Sequence, residues 1–490
     1  MATQILYNGV KLTDNPTGPD IENVERIDLG ALPMISMMME IGLPVNPDHF
    51  RRMGVGLDWD MERITEKVHS LTGYHINLNS PDQVSDLLFK KLGLKQIRPK
   101  FTKGGEKKEA RESVEDEVLA AIQHTHEVVP LIQEFKHFSK LKGTYVEPIL
   151  KLAKPRPTIP TIYPNLGTTT VPSGRLNSWE PNLLAMPNRT ARGRELCEGF
   201  IAPPGYVYVS VDESQIEPRL AAHLSLDENL IRIYENEEDI YSDFATKAFG
   251  LPDERWECIG FSNTTKLGKV CDNKEHISHG WHYPTVHKKD HRFPAKTCTL
   301  ASIYDVSPKG LLEQMPIVCA TCGKEATKHD CNNFVSLWDE AKCQKLITAF
   351  YTRYPGVMVD RKKNHAIAMK YGYVWDMWGR ILHVQAVRCW LSWIVSAALR
   401  EVGNFPYQAG AQGTIKLVMA IVHDEFVRDH IYEICKPVLQ IHDELLFLVK
   451  REFAQEIGEL VAYRFENVCR LNVPIKAGVA IADTWGKLAK

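Results

Sequence analysis

The stretch Tyr206-Val-Tyr-Val-Ser-Val-Asp212-Glu-Ser-Gln-Ile-Glu217-Pro-Arg-Leu-Ala-Ala-His-Leu224 constrains the fold more than any other. Its first half is apolar and β-branched, which predicts a buried strand. Its second half carries apolar residues at helical spacing, so the strand runs directly into a helix. Asp212 stands at the junction. A carboxylate at the end of a buried strand is costly to place unless a cation uses it, and a metal ion is the usual user. Strand-to-helix junctions also favour an aspartate as N-cap. On this stretch alone both readings stand.

The chain has 490 residues, enough for two or more domains, and a formal net charge of −2. There is no global basic signal for a nucleic-acid binder, although a basic groove can coexist with acidic outer faces. No apolar run reaches membrane-span length and no signal peptide opens the chain. With 11 cysteines and no secretory signal, a reducing, cytoplasmic compartment is expected.

Residues 1–28 are polar and read as a loose lead-in. Leu29 to Leu71 is helical in pattern, with a turn at Gly42–Asn46. Ser80 and Pro81 read as the N-cap and first residue of a further helix. Residues 102–113 read as a charged loop, and helical patterns run from Val114 to Lys154. Lys136, Lys140, Lys142 and Lys151 on that segment form either a solvated face or a phosphate-tracking one. Pro155–Pro164 is a connector and the first boundary. Beyond it lies a turn-rich stretch around Gly174 and Arg175, and Glu238-Asp-Ile-Tyr241 opens a helix. Residues 258–290, rich in His and Gly, look inserted between a helix ending near Trp256 and one beginning near His291. That second helix runs to Ser307 and places Arg292, Lys296, Leu300 and Tyr304 along one slowly drifting face. Two cations followed by an apolar and an aromatic residue suit a nucleotide, phosphates at one end and base at the other. An amphipathic helix with a solvated basic end has the same pattern. A second insertion spans about 317–333. Tyr371–Arg380 reads as a short hairpin. Val438–Val449 is two apolar runs around an acidic turn, a β-hairpin with Asp443 and Glu444 at its tip.

Carboxylates on neighbouring strands can hold two Mg²⁺ ions, which activate a 3′-hydroxyl and stabilise a leaving pyrophosphate. Carboxylate and phosphate oxygens suit that hard cation. Asp212 and Asp443 are the candidate ligands, with Glu444 assisting. His423-Asp424-Glu425 repeats the triplet inside a helical pattern, where a surface position is expected.

In order and spacing these residues resemble a family A DNA polymerase, the bacterial polymerase I and phage replicative type. The resemblance runs from about Leu29 to the end. Asp212-x-Ser-Gln-Ile-Glu217-x-Arg resembles the family's motif A, Arg292-x3-Lys296-x3-Leu300-x3-Tyr304 its motif B, and His442-Asp443-Glu444 its motif C. Ser173-Gly-Arg175-Leu-x-Ser-x-x-Pro-Asn-Leu and Asn404-x-Pro-x-Gln408 resemble its primer-template contacts. The implied fold is α+β, a right hand with an antiparallel-sheet palm, helical fingers and a helical thumb. The thumb would occupy 29–165, the palm 166–230 and 381–490, and the fingers 231–380 with both insertions. The implied function is template-directed addition of dNTPs to a primer 3′ end in DNA replication, with primer-template DNA as partner. Arg292 and Lys296 would hold the triphosphate, with Gln215 and Tyr241 beside them. Glu217 would exclude ribonucleotides, with Tyr304 stacked nearby. Arg175, Arg400, Asn404, Gln408 and His442 would contact the primer terminus and minor groove.

Leu300 stands where the family usually has Phe or Tyr, Tyr241 where His is common, Asp305 where Gly follows the motif B tyrosine, and Ile381 where a second Arg is common. No Asp-x-Glu strand motif with later paired acids precedes the thumb-like region. Polymerase activity without 3′–5′ exonuclease is therefore expected of this chain, with a separate exonuclease or other replisome protein as partner, in a host cytoplasm if the chain is phage-encoded. Cys319, Cys322, His329 and Cys331 have compact zinc-knuckle spacing. The other insertion offers a looser set around Cys271, His276, His279 and His282. Cys258, Cys298, Cys343, Cys389 and Cys435 read as core residues on helices. The rivals are a single-subunit RNA polymerase, against which Glu217 argues, and a zinc-dependent nucleic-acid-binding protein on an inactive polymerase scaffold.

Overall fold

Tyr206–Glu213 forms the strand its residues predict, β1. It lies inside a four-stranded sheet with Cys435–Ile441 (β2), Glu444–Lys450 (β3) and Ala477–Ala482 (β4). The order is β2-β3-β1-β4 and each pairing is antiparallel. The computed structural model describes residues 4–7, 10–13, 16–96, 100–102, 111–123, 125–154, 159–168, 170–188, 190–252, 256–258, 280–283, 285–315, 318–319, 334–335 and 337–488.

Two long helices precede the sheet, α1 (Ile21–Ile41) and α2 (Pro47–Thr72), joined at Gly42 with φ 68°. A Cβ at Gly42 would stand 2.4 Å from the Ile162 carbonyl oxygen, so the turn needs glycine for space as well as conformation. Asp20 caps α1, and residues 4–7 and 10–13 pair as a hairpin. The expected loose lead-in is thus corrected: Asp20 supplies an N-cap that was not recognised, and α1 starts eight residues early. Ser80 does cap the helix beginning at Pro81, accepting from the Gln83 amide.

The strand-to-helix stretch continues into α3 (Ile216–Ser225), followed by α4 (Ile240–Ala248), α5 (Phe293–Ile303) and α6 (Pro355–Tyr371). Helix α7 (Ser392–Arg428) contains Pro406 and is buried nearly throughout from Val402 to Ala420. Such all-round burial marks a central helix. Gly413 lets the indole of Trp378 lie against its backbone, where a Cβ would stand 2.2 Å from Trp378 Cδ1. Helix α8 (Ala454–Asn467) covers the face of the sheet formed by Val207, Val209 and Val211, each at most 1% exposed. Burial of each such valine stabilises by about 1.5–3 kcal/mol. Helix α1 lies along α7 and β2, and Asp28 on it takes ion pairs from Lys416 (2.9 Å) and Arg380 (2.6 Å).

Both insertions are closed at the base by strand pairing, Trp256–Cys258 with Gly280–His282 and Val318–Cys319 with Phe334–Val335. The helix expected to reach Trp256 ends at Ala248, and α5 stops at Ile303, short of Ser307. Cys258 and Cys435 lie on strands rather than helices. Cys298 and Cys343 are buried on helices as expected, and Cys389 is partly exposed beyond a short 3₁₀ turn. Lys142 pairs with Asp58 at 2.5 Å, and Lys136 donates to the Val114 carbonyl, so two of the four lysines on that segment are internally engaged. Among the described residues no helix is long and apolar enough to cross a membrane.

Candidate active site

Three carboxylates meet at one end of the sheet because of strand register. Glu444, the first residue of β3, is the direct cross-strand partner of Asp212 on β1. The Glu213 amide donates to the Asp443 carbonyl oxygen at 3.1 Å. Cross-strand neighbours stand about 4.5–5.5 Å apart at Cβ, so the turn after β2 sets Asp443 beside Asp212. His442 occupies that turn with φ 54°. Its carbonyl accepts from the side chains of Gln440 and of Gln412, the latter 1% exposed on α7. The central helix thereby holds the hairpin tip. Ser210 donates to Glu444. Ser210, Asp212, Asp443 and Glu444 line a cleft of about 900 Å³ with Met186, Arg194 and Trp485.

The cluster carries more negative charge than its surroundings compensate. Burial above all, then the charge of Glu217, pushes Asp443 up to about 7, with Arg175 opposing and Asp212 adding to the rise. Asp443 Oδ1 is buried without a hydrogen-bond partner. Glu213 is 4% exposed, and neither of its carboxylate oxygens has a hydrogen-bond partner. Burial, then Asp443 and Asp212, hold it well above the usual carboxylate range. Among the described residues no three His, Cys, Asp or Glu side chains close on a single point. A hard divalent cation completes its shell with water and phosphate oxygens, so Asp212 and Asp443 fit such an ion with few protein ligands. An orphaned buried carboxylate oxygen is the feature such a cation would satisfy.

In the first turn of α3, Glu217 is 8% exposed and accepts from Arg175 at 2.5 Å. Arg175 comes from the turn at Gly174, whose φ is 76° and whose Cα side faces the Arg380 guanidinium. With Arg380 tied to Asp28, α1 supports the turn that presents Arg175. Gln215, exposed at φ 58°, accepts from the Tyr234 hydroxyl at 3.3 Å.

The cationic helix is assembled differently. Arg292 makes two bonds to Asp239, at 2.8 and 3.0 Å, and Asp239 is also the N-cap of α4. Arg292 and Lys296 both lie over the Tyr241 ring, at 5.1 and 5.5 Å from its centroid. Lys296 is exposed. Leu300 and Tyr304 are half-buried against the helical cluster around α4 and α5. Asp305, at φ 57°, pairs with Arg361 on α6 at 2.9 Å, with His365 at 3.8 Å. Its charge is therefore spent on α6, which accounts for an aspartate after Tyr304.

On α7, Arg400 is exposed, Gln408 is half-buried, and Asn404 has a buried Oδ1 without a hydrogen-bond partner. The second triplet departs from its expected surface position: Glu425 is 8% exposed and held by Arg464 at 2.6 and 2.7 Å. Cys319 is described only as strand backbone; Cys322, His329 and Cys331, with Cys271, His276 and His279, lie outside the described residues. Sequence reasoning passed over Glu213, Gln412 and Asp239. An aspartate one residue ahead of a helical run is a cap signal that marks Asp239; nothing local marks Gln412.

The sequence model of DNA polymerase family A matches residues 47–258 and 279–487, and the break falls within the first insertion. The chain is 28% identical to the thermostable DNA polymerase I of Thermus aquaticus over 452 residues, 92% of this chain and 47% of that protein. It is 26% identical to DNA polymerase I of Bacillus subtilis over 466 residues, 95% of this chain and 46% of that one. The chain thus spans about half the length of the curated relatives it matches. A solved structure, the POL domain of Pol1 from M. smegmatis in complex with DNA primer-template and dNTP, has the same fold. Its TM-score is 0.75 at 24% identity, with 95% of this chain and 73% of that one covered. The carboxylate-bearing hairpin beside β1 and the match over most of its length place this chain in DNA polymerase family A.

Proposed function

We propose that this chain is a template-directed DNA polymerase that adds dNTPs to a primer 3′ end in DNA replication. The observation that carries the proposal is the meeting of Asp212 with Asp443 and Glu444 at one end of the sheet. The sheet is the palm, the helices around α4 and α5 are the fingers, and the region around α2 is the thumb. Asp212 and Asp443 would hold Mg²⁺, which supplies charge to activate the 3′-hydroxyl and to stabilise pyrophosphate as it leaves. Glu444 holds Ser210 and adds negative charge. Arg292 and Lys296 receive the triphosphate; Arg292 exchanges Asp239 for phosphate as it does so. Glu217, locked by Arg175, presents its carboxylate where a ribose 2′-hydroxyl would press. Arg400, Asn404, Gln408 and His442 hold the primer-template, and minor-groove acceptors let them check pair shape without reading sequence. The Cys319, Cys322, His329 and Cys331 set is a zinc site on this reading, supported by its spacing and tested by metal analysis of the purified chain.

Primer extension with dNTPs or rNTPs, with Mg²⁺ or EDTA, is the test. Extension with dNTPs and Mg²⁺ alone is the expected result. Primer-independent synthesis from rNTPs would reverse the reading in favour of an RNA polymerase. Glu217→Ala is expected to raise ribonucleotide incorporation by roughly tenfold or more.

A further inference from the structure

Large aromatic side chains left in water are unusual unless something covers them. At the start of α7, Trp390 is 89% exposed and Trp393 is 68% exposed. Helical geometry places Trp393 on a particular stripe. Trp393, Arg400, Asn404 and Gln408 succeed one another at intervals of seven, four and four residues, which keeps them on one side of the helix. The opposite side carries Ala398, Val402, Phe405 and Ala409, packed on Val374 and Leu382 of the hairpin formed by residues 373–383. Trp393 therefore extends the stripe assigned above to primer-template, and leaves the buried stripe to the hairpin. The charge of the segment agrees: from Met377 to Arg400 there is no carboxylate and there are three arginines, Arg380, Arg388 and Arg400. Arg388 and Arg400 are exposed.

We propose that Trp390 and Trp393 form a stacking platform for unpaired bases of the template strand. The proposal rests on the polymerase reading and deepens it. Indole faces stack on any base, and arginines beside them meet the backbone. Paired bases offer no free face, so within a primer-template the single-stranded overhang is the part that can occupy the platform. Gln412 touches the catalytic hairpin, and at 1.5 Å per residue Trp393 lies about 28 Å further along α7. The platform thus lies well away from the catalytic hairpin, at the far end of the helix.

Equilibrium binding to primer-templates with overhangs of about 2 and about 10 nucleotides tests this. The wild-type chain is expected to bind the long overhang more tightly. W390A/W393A should lose most of that gain, roughly tenfold or more in Kd, because alanine at a stacking aromatic removes the base contact. W390F/W393F, which keeps aromatic faces, should retain part of it, and this rescue separates stacking from misfolding. An alanine variant with the wild-type dependence on overhang length would overturn the proposal, including the case in which the tryptophans bind a protein instead. A wild-type chain that extends no primer would break the polymerase reading itself, a separate result.

Discussion

The chain carries His-Asp-Glu twice, at His423–Glu425 and His442–Glu444, and the two copies have opposite fates. In α7 the triplet is a helical segment, so its three side chains splay around the axis. His423 meets the Tyr432 hydroxyl at 2.7 Å, and Glu425 is neutralised by Arg464. At the hairpin the same residues straddle a turn. His442 takes the left-handed conformation, Asp443 lies beside Asp212, and Glu444 faces Asp212 across the ladder. In one copy the last carboxylate is neutralised by an arginine of another helix; in the other, Asp443, with a buried oxygen that no hydrogen bond reaches, is set beside a second strand's carboxylate. Secondary structure, rather than residue identity, makes one a structural tie and the other a cation-binding candidate.

The largest expected difference is in activity. Asp443→Ala should lower primer extension by about a thousandfold or more, since metal-borne charge stabilisation is worth several kcal/mol. Asp424→Ala should leave it within about twofold. Equal losses in single-turnover assays would erase the distinction. Stability should rank the copies the other way. Glu425→Ala strips the partner from Arg464 and should cost about 1–3 kcal/mol in denaturant unfolding, whereas Glu444→Gln removes like-charge repulsion and should cost less.

The pH dependence sharpens the comparison. Asp443 is held up at about 7, so the folded chain binds its proton more tightly than the unfolded chain does. The stabilisation this gives is complete below the unfolded range near 4 and is lost as pH rises through about 7. In EDTA the melting temperature should fall across that window. Asp443→Asn should flatten the fall, with Asp424→Asn as control, and Mg²⁺ should raise the melting temperature at the upper end. A profile untouched by Asp443→Asn would place the uncompensated charge elsewhere. The smallest effect is one of sign. His423→Gly, inside a helix, should cost about 1 kcal/mol. His442→Gly, at positive φ, should be neutral or stabilising by up to about 1 kcal/mol.

Much of this was legible in the residues. The strand Tyr206–Glu213 showed in its β-branched run, the helix after Ser80 in its cap, and the acidic hairpin in two apolar runs around a turn. These are local patterns, and local sterics and hydrogen bonding enforce them. The start of α1 and the end of the helix before Trp256 were misplaced because a cap and a short strand pairing outweighed a polar or helical composition. Glu425 was misjudged because its partner, Arg464, lies far along the chain on another helix.

The sequence by itself determined which carboxylates and cations the chain owns, and that a strand delivers Asp212 to its end. Tertiary structure decided their company. Register set Glu444 opposite Asp212, Gln412 from a distant helix held the hairpin tip, and Arg361 absorbed the charge of Asp305. Side-chain types are written locally, but the field each one feels is the sum over neighbours that only long-range packing brings together.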